Sequence, residues 1–308
     1  SDSRLAMISV EARLADGVKG ILAADDFTEA IGAYGENSAA VAKQLVNGEG
    51  IDVLAICGGD GTIHKTLTSF IHLYDGEPPF LLLPLRGGAM NTIRRSVGVH
   101  ESAEQALAFA VGKKKRGEGF HIVQRSSLAV TIPDRPVLYG FLFGNGITAN
   151  FLSVYYGQPT SGPAAAVNTI SRCAWAAISK NKHYESIFGK VRHQIMIDDY
   201  LLPTESFTGL LAGTIKDVGV GFAPLYRADE TLGAFHILAS ALPATGLVKN
   251  VPRFFVGQRL KGENHFDFPA HKVNIVAEKP FSFMIDGEMD QAGQMKITPG
   301  PTVKFLIR

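Results

Sequence analysis

Glycine clusters and two carboxylates carry the chemistry this sequence can do. The first cluster is Gly58-Gly59-Asp60-Gly61-Thr62, placed where the apolar run Ile51–Cys57 gives way to a helical pattern. Glycines so dense let the backbone turn sharply and let another group approach closely. Strand, glycine turn and helix start together present backbone N–H groups to an anion, usually a phosphate. A carboxylate among such amides, Asp60, suits a metal ion or a hydroxyl that must lose its proton. Taken without its flanks, the same turn is equally a tight βα connection with structural glycines. Neither the Rossmann Gly-x-Gly-x-x-Gly nor the Walker Gly-Lys-Ser/Thr pattern is present.

A second cluster, Arg86-Gly87-Gly88-Ala89-Met90-Asn91, follows the apolar run Phe80–Pro84, and Asn91 is placed to cap the next helix. Arg94 and Arg95 face phosphates or surface carboxylates, and the surface is the commoner fate of such a pair. Gly144-Asn145-Gly146 reads as a hairpin turn. Ile285-Asp286-Gly287-Glu288 ends an apolar strand with two carboxylates around a glycine, and Asp-Gly by itself also means a turn. Nine histidines lie scattered without metal-ligand spacing. The basic run Lys113–Arg116 reads as a solvated linker, with anionic lipid headgroups as the alternative contact.

These motifs need elements to hold them. Short strands are expected at Met7–Val10 and Gly20–Ala24, then a helix over Ala39–Val46, then the strand 51–57. Ile63, Leu67, Phe70 and Ile71 repeat at helical spacing and form one buried face, with His64 and Lys65 off it. Ser102 with Gln105 forms a capping box for a helix that stops at Gly112. From Phe120 the texture changes to short strands at 120–124, 127–132, 137–145, 191–197, 206–213, 235–240, 273–277, 281–285 and 302–307. Helices interrupt them at 163–179, with Val167, Ile170, Ala174, Ala177 and Ile178 on one face, and near 246–257. The fold class that follows is α/β plus all-β, with domains at 1–117 and 118–294.

The chain has 308 residues, 46% hydrophobic and 19% charged, which fits a globular protein with a substantial core. A net charge of +1 gives no field that would gather nucleic acid. Cys57 and Cys173 read as core thiols of a reducing compartment. No run reaches the ~20 apolar residues of a membrane span, so the expectation is a cytoplasmic protein able to touch a membrane surface.

As a set, Gly58–Thr62, Leu83-Pro84 with Gly88–Asn91 and Arg95, Asn145-Gly146 with Ala149, Pro224, and Ile285–Glu288 resemble the diacylglycerol kinase catalytic-domain family. That family includes bacterial lipid kinases and sphingosine and ceramide kinases, and the likeness covers roughly residues 36–308. It implies a Rossmann-like nucleotide-binding domain and a C-terminal antiparallel β-sandwich, with the active site in the cleft between them and the tail 295–308 returning to the first domain. It implies an ATP- and Mg²⁺-dependent kinase of a lipid hydroxyl, diacylglycerol-like or sphingoid, working at the inner face of a membrane. Gly58, Gly59, Gly61, Thr62, Gly88, Asn91 and Glu288 would bind the nucleotide, with Lys65 and Arg95 as phosphate contacts. Asp286 is the first choice for the base, and Asp60 shares that role or orients Mg²⁺. The chain departs from the family at Lys65 (usually Glu), Ala89 (Thr), Thr92 (Asp) and Leu232 (Asp). A non-catalytic nucleotide- or lipid-binding protein and an NAD kinase-like enzyme are the alternatives, and a homodimer stays open.

Overall fold

Two apolar runs become the inner strands of a parallel sheet, β3 (Val53–Gly58) and β4 (Leu81–Arg86). Strands so continuously apolar are stable only when covered on both faces, and Leu54, Ala55, Ile56, Leu82 and Leu83 are all buried. They belong to a computed structural model that describes residues 5–9, 28–29, 52–88, 90–157, 163–179, 187–219 and 221–308. The strand expected at Gly20–Ala24, the helix at Ala39–Val46 and the departure at Ala89 lie outside these residues. The chain divides into two units, Ser1–Arg125 with Pro301–Arg308, and Ser126–Gly300.

In the first unit β1 (Leu5–Ser9) runs parallel to β3, with β2 (Thr28–Glu29) beyond it. The end of the last strand, β16 (Glu288–Ile307), pairs in parallel with β4 through Phe305 and Leu82. Helix α1 (Asp60–Tyr74) follows β3 directly and buries Ile63, Leu67, Phe70 and Ile71, as the spacing predicts. It also buries Thr62, His64 and Thr66, so the covered arc at its start is wider than one stripe and His64 lies inside it.

Helices α2 (Thr92–Ser96) and α3 (Ala103–Lys115) complete this unit. The capping box of α3 is formed: the Gln105 amide donates to Ser102 Oγ at 3.2 Å and the Ser102 amide to Gln105 Oε1 at 3.1 Å. The helix does not stop at Gly112 but runs on to Lys115. Three lysines in its last turn complement the helix dipole, and the chain turns only at Gly117, where φ is +65°. The basic run is therefore mostly helix, not linker.

The second unit is an antiparallel β structure. Its strands are β5 (His121–Thr131, which begins in the first unit), β6 (Leu138–Gly140), β7 (Leu142–Gly146), β8 (Val191–Arg192), β9 (Gln194–Ile197), β10 (Tyr200–Leu201), β11 (Ser206–Phe207), β12 (Gly209–Gly213), β13 (Phe235–Ser240), β14 (His265–Ala270), β15 (Val273–Ile285) and most of β16. The main ladder runs β14-β13-β12-β7-β15-β16. Inward residues such as Val130, Phe143, Ile195, Leu210, Ile237, Ile275, Phe283 and Ile297 fill one core, as expected of the all-β second domain that the sequence predicts and of the antiparallel β-sandwich that the resemblance implies. Residues 273–285, expected as two strands, form one with an irregularity between Val276 and Phe281.

Helices α4 (Ile147–Tyr156), α5 (Pro163–Ser179), α6 (Ala244–Lys249) and α7 (Val251–Phe255) are set among these strands. The span of α5 is as expected, but its buried face is not. Ala166, Thr169, Cys173 and Ala177 point inward and Val167 is exposed. Cys173 and Ala177 pack in a second apolar cluster with Leu242, Leu247 and Leu260, which fixes the helix one position round from the predicted stripe.

Candidate functional site

The two glycine loops of the first unit meet backbone to backbone. A Cβ on Gly88 would lie 2.3 Å from the Gly59 Cα, and one on Gly87 2.7 Å from the Gly58 nitrogen. None of these four glycines has a left-handed φ. Glycine is needed here because one loop lies against the other, a reason that sequence spacing does not reveal.

Asn91 was expected to cap α2 but does something else. Its backbone is left-handed at φ +49°, and its side chain folds back onto the loop before it. The Gly88 amide donates to Asn91 Oδ1 at 3.0 Å and the Gly87 amide at 3.4 Å, while Asn91 Nδ2 donates to the Gly88 carbonyl. The cap comes instead from Asp60. The Thr92 amide donates to its Oδ2 and the Ile93 amide to its Oδ1, both at 2.9 Å. One carboxylate at the start of α1 thus satisfies the first N–H groups of α2 and ties the two loops together. Burial pushes the Asp60 carboxyl up from its ordinary value, outweighing the amides of Thr92 and Ile93 and the charge of Arg95, which pull it down.

The rest of this group sits close by in the chain. Gly58 ends β3, Gly59 is the N-cap of α1, and Asp60, Gly61 and Thr62 form its first turn, where the Thr62 amide donates to the Gly59 carbonyl at 3.0 Å. Lys65 lies about one turn further on and is half-buried. Arg94 departs from the surface reading: it is only 5 % exposed, and its Nε and Nη2 have no acceptor. Burial pulls its pKa down, against the favourable charge of Glu101. A five-residue helix is too short for periodicity to have separated Arg94 from Arg95.

Among the described residues no three His, Cys, Asp or Glu side chains gather as metal ligands would. Both oxygens of Asp60 are already engaged by backbone amides. These residues do not fit a protein-built Mg²⁺ cage, and a magnesium ion here would have to come with the phosphates that carry it.

In the second unit Asp286 and Gly287 have φ of +48° and +89°, with Ile285 paired to Glu288. This is the two-residue hairpin turn that Asp-Gly favours. The Asp286 side chain is occupied: the Phe141 amide donates to Oδ1 at 3.1 Å and Oδ2 at 3.0 Å, and the Leu142 amide to Oδ1 at 2.9 Å. The residue is 4 % exposed. Gly140 makes the room, since a Cβ there would lie 2.4 Å from Oδ2. Glu288 opens β16 and is half-buried, and Tyr156 donates its hydroxyl to the Gly287 carbonyl at 2.9 Å.

Gly144-Asn145-Gly146 is not a hairpin. β7 is paired on both sides, by β12 and β15, and hands over to α4 at Gly146, whose φ is +57°. Buried Asn145 accepts from the Leu210 amide at 3.1 Å, which fixes its amide orientation and points Nδ2 at His193 Nε2, 3.3 Å away. Burial pushes His193 down to about 4. A second buried polar group went unnoticed in the sequence. His236 Nε2 lies 2.7 Å from Asp267 Oδ1, and Tyr226 donates to Asp267 Oδ2 at 3.0 Å. Burial alone would raise Asp267, but the hydrogen bonds from His236 and Tyr226, with the nearby His265 ring, outweigh it and hold the carboxyl well below its usual range. The histidines lie on different strands, so spacing gave no sign of them.

Comparison with known proteins agrees with the motifs. Residues 11–118 match the diacylglycerol kinase catalytic domain. A protein named probable lipid kinase YegS, from Salmonella heidelberg, is 40% identical over 63 residues, a stretch spanning 20% of this chain and 20% of that relative. A crystal structure of a diacylglycerol kinase from Bacillus anthracis superposes with a TM-score of 0.66 at 13% identity, covering 100% of this chain and 97% of that one. An NAD kinase from Archaeoglobus fulgidus in complex with ATP superposes with a TM-score of 0.52 at 12% identity, over 99% and 93% of the two chains. By sequence in residues 11–118, and by fold along its whole length, the protein resembles the diacylglycerol kinase catalytic-domain family.

Proposed function

We propose that the protein is an ATP-dependent kinase of a lipid hydroxyl, with a diacylglycerol-like or sphingoid acceptor. The observation that carries this reading is Asp60, a half-buried carboxylate that ties together two glycine loops and two helix starts. Phosphoryl transfer asks for positioning and charge stabilisation more than for covalent chemistry. Gly58, Gly59, Gly61, Thr62, Gly88 and Asn91 would hold the nucleotide, Lys65 and Arg95 its phosphates, and Glu288 would act on the nucleotide side. Mg²⁺, brought on the nucleotide, would neutralise phosphate charge.

Of the two carboxylates, Asp60 is the better base. Asp60 is only partly buried and accepts a single amide on each oxygen, which leaves lone pairs for a proton, whereas Asp286 is 4 % exposed and accepts three bonds from the Phe141 and Leu142 amides. In this reading the lipid hydroxyl gives its proton to Asp60, its oxygen bonds to the γ-phosphorus, and ADP leaves. Asp286 is then a positioning residue that holds the strand carrying Asn145.

The test is transfer of labelled γ-phosphate to a panel of diacylglycerol, sphingosine and ceramide. One acceptor should be labelled; if ATP binds and every lipid stays unlabelled, the chain is a binding protein, as Lys65 in place of the family's Glu would favour. Asp60→Asn should abolish turnover while ATP binding persists, and Asp286→Asn should lower thermal stability first. The opposite pattern makes Asp286 the base. NADP formation in the same assay would replace the lipid reading with the NAD kinase one.

A further inference from the structure

Residues 249–261, Lys-Asn-Val-Pro-Arg-Phe-Phe-Val-Gly-Gln-Arg-Leu-Lys, contain four cations and no acidic side chain. They form a tied knuckle. α6 ends at Lys249, α7 follows at once, and Gly257, with φ +59°, turns the chain back. Buried Asn250 clamps the two arms: Nδ2 donates to the carbonyls of Gly246 at 2.8 Å and Lys261 at 2.9 Å, and Oδ1 accepts from the Lys261 amide at 2.8 Å. Arg253 adds a bond from Nη1 to the Arg259 carbonyl at 3.0 Å.

The tip of this knuckle is apolar and open. Phe255 is 51 % and Val256 64 % exposed. Their backing is the ring of Phe222, centred 4.2 Å from that of Phe255, and a bond from the Ala223 amide to the Phe254 carbonyl at 2.7 Å. Lys249, Arg259 and Lys261 are exposed around it. Large exposed apolar groups rimmed by charge mark an interaction surface.

We propose that this knuckle docks on an anionic lipid bilayer, with Phe255 and Val256 entering the interface and Lys249, Arg253, Arg259 and Lys261 meeting the headgroups. Charge complementarity selects the occupant. A second copy seated here would set four cations against four, which costs affinity, whereas an anionic surface attracts each of them. Another exposed apolar pair, Tyr200 and Leu201, follows Asp198 and Asp199 and would be repelled by the same surface. The proposal extends the lipid reading to a partner surface, and its test uses no nucleotide, so it stands or falls apart from turnover.

The whole protein is cosedimented with phosphatidylcholine vesicles, with and without phosphatidylglycerol. Binding should require phosphatidylglycerol and weaken with salt. Arg259→Gln with Lys261→Gln should lower partitioning roughly thirtyfold, at roughly fivefold per cation. Phe255→Ser with Val256→Ser should lower it about tenfold, and Leu201→Ser should leave it unchanged. These positions are exposed, and unchanged circular dichroism confirms that each variant is folded. The proposal is overturned if the wild type ignores anionic vesicles, if the knuckle variants bind as well as the wild type, or if sedimentation shows a dimer that Phe255→Ser breaks.

Discussion

Lowering the pH should weaken the second unit through His193. This ring is 2 % exposed, with its centroid 4.8 Å from that of Phe281 and 6.0 Å from that of Phe207. Because Asn145 Nδ2 donates to Nε2, the neutral ring carries its proton on Nδ1, which has no partner. A second proton has nowhere to go, and burial lowers the pKa from 6.5 to about 4. The unfolded chain takes up that proton below its ordinary value while the folded chain does not. Between about 6.5 and 4 the unfolded state therefore holds more protons, and stability falls as pH falls. At 1.36 kcal/mol per pKa unit the full loss is about 3 kcal/mol.

Other groups titrate in acid, so the measurement is a difference. His193→Phe keeps an aromatic ring and removes the titration. It leaves Asn145 Nδ2 without its acceptor, a constant cost of about 1–3 kcal/mol. Asp267 loses its contribution only below its ordinary value of 3.8, beneath this window. Asp60, with its raised pKa, acts in the opposite sense but equally in both proteins. Urea unfolding of the second unit, followed from pH 7 to 4, should show the wild type losing about 3 kcal/mol more than the variant. Parallel curves would show that His193 titrates normally inside the fold and would refute the argument.

Two further changes test the first unit. Gly88→Ala forces a Cβ to 2.3 Å from the Gly59 backbone, and this overpacking should cost about 1–3 kcal/mol in thermal unfolding and weaken ATP binding by calorimetry. Ser102→Ala removes one half of the capping box and should cost about 1 kcal/mol in the same unfolding assay without changing ATP affinity.

The parts legible in the sequence are those whose signals are local. Ile63, Leu67, Phe70 and Ile71 gave the face of α1, and Ser102 with Gln105 gave the start of α3, because each depends on neighbours within one or two turns. β14 was missed because its inward positions carry the polar residues His265 and Asp267, and the bonds from His236 and Tyr226 that make Asp267 tenable inside come from elsewhere in the chain. The first part of β16 was missed because Pro299-Gly300-Pro301 reads as a break, yet the strand continues through it. α4 has no side-chain cap and leaves β7 directly, so nothing announced it. The glycine loops were placed correctly, but that Asp60 caps α2 and Asn91 does not is a long-range fact with no local signature.

The last strand has a consequence for how the protein is made. Pro301–Arg308 belongs to the first unit, where Phe305 lies beside Leu82 of β4. The unit that leaves the ribosome first therefore waits until residues 301–308 are made before that side of its sheet is closed. At ordinary elongation rates the second unit takes roughly 10–35 s to synthesise, and throughout that interval β4 offers an unpaired edge to any neighbouring chain. Aggregation during synthesis should thus track the delay before residues 301–308 arrive more than the stability of the finished protein.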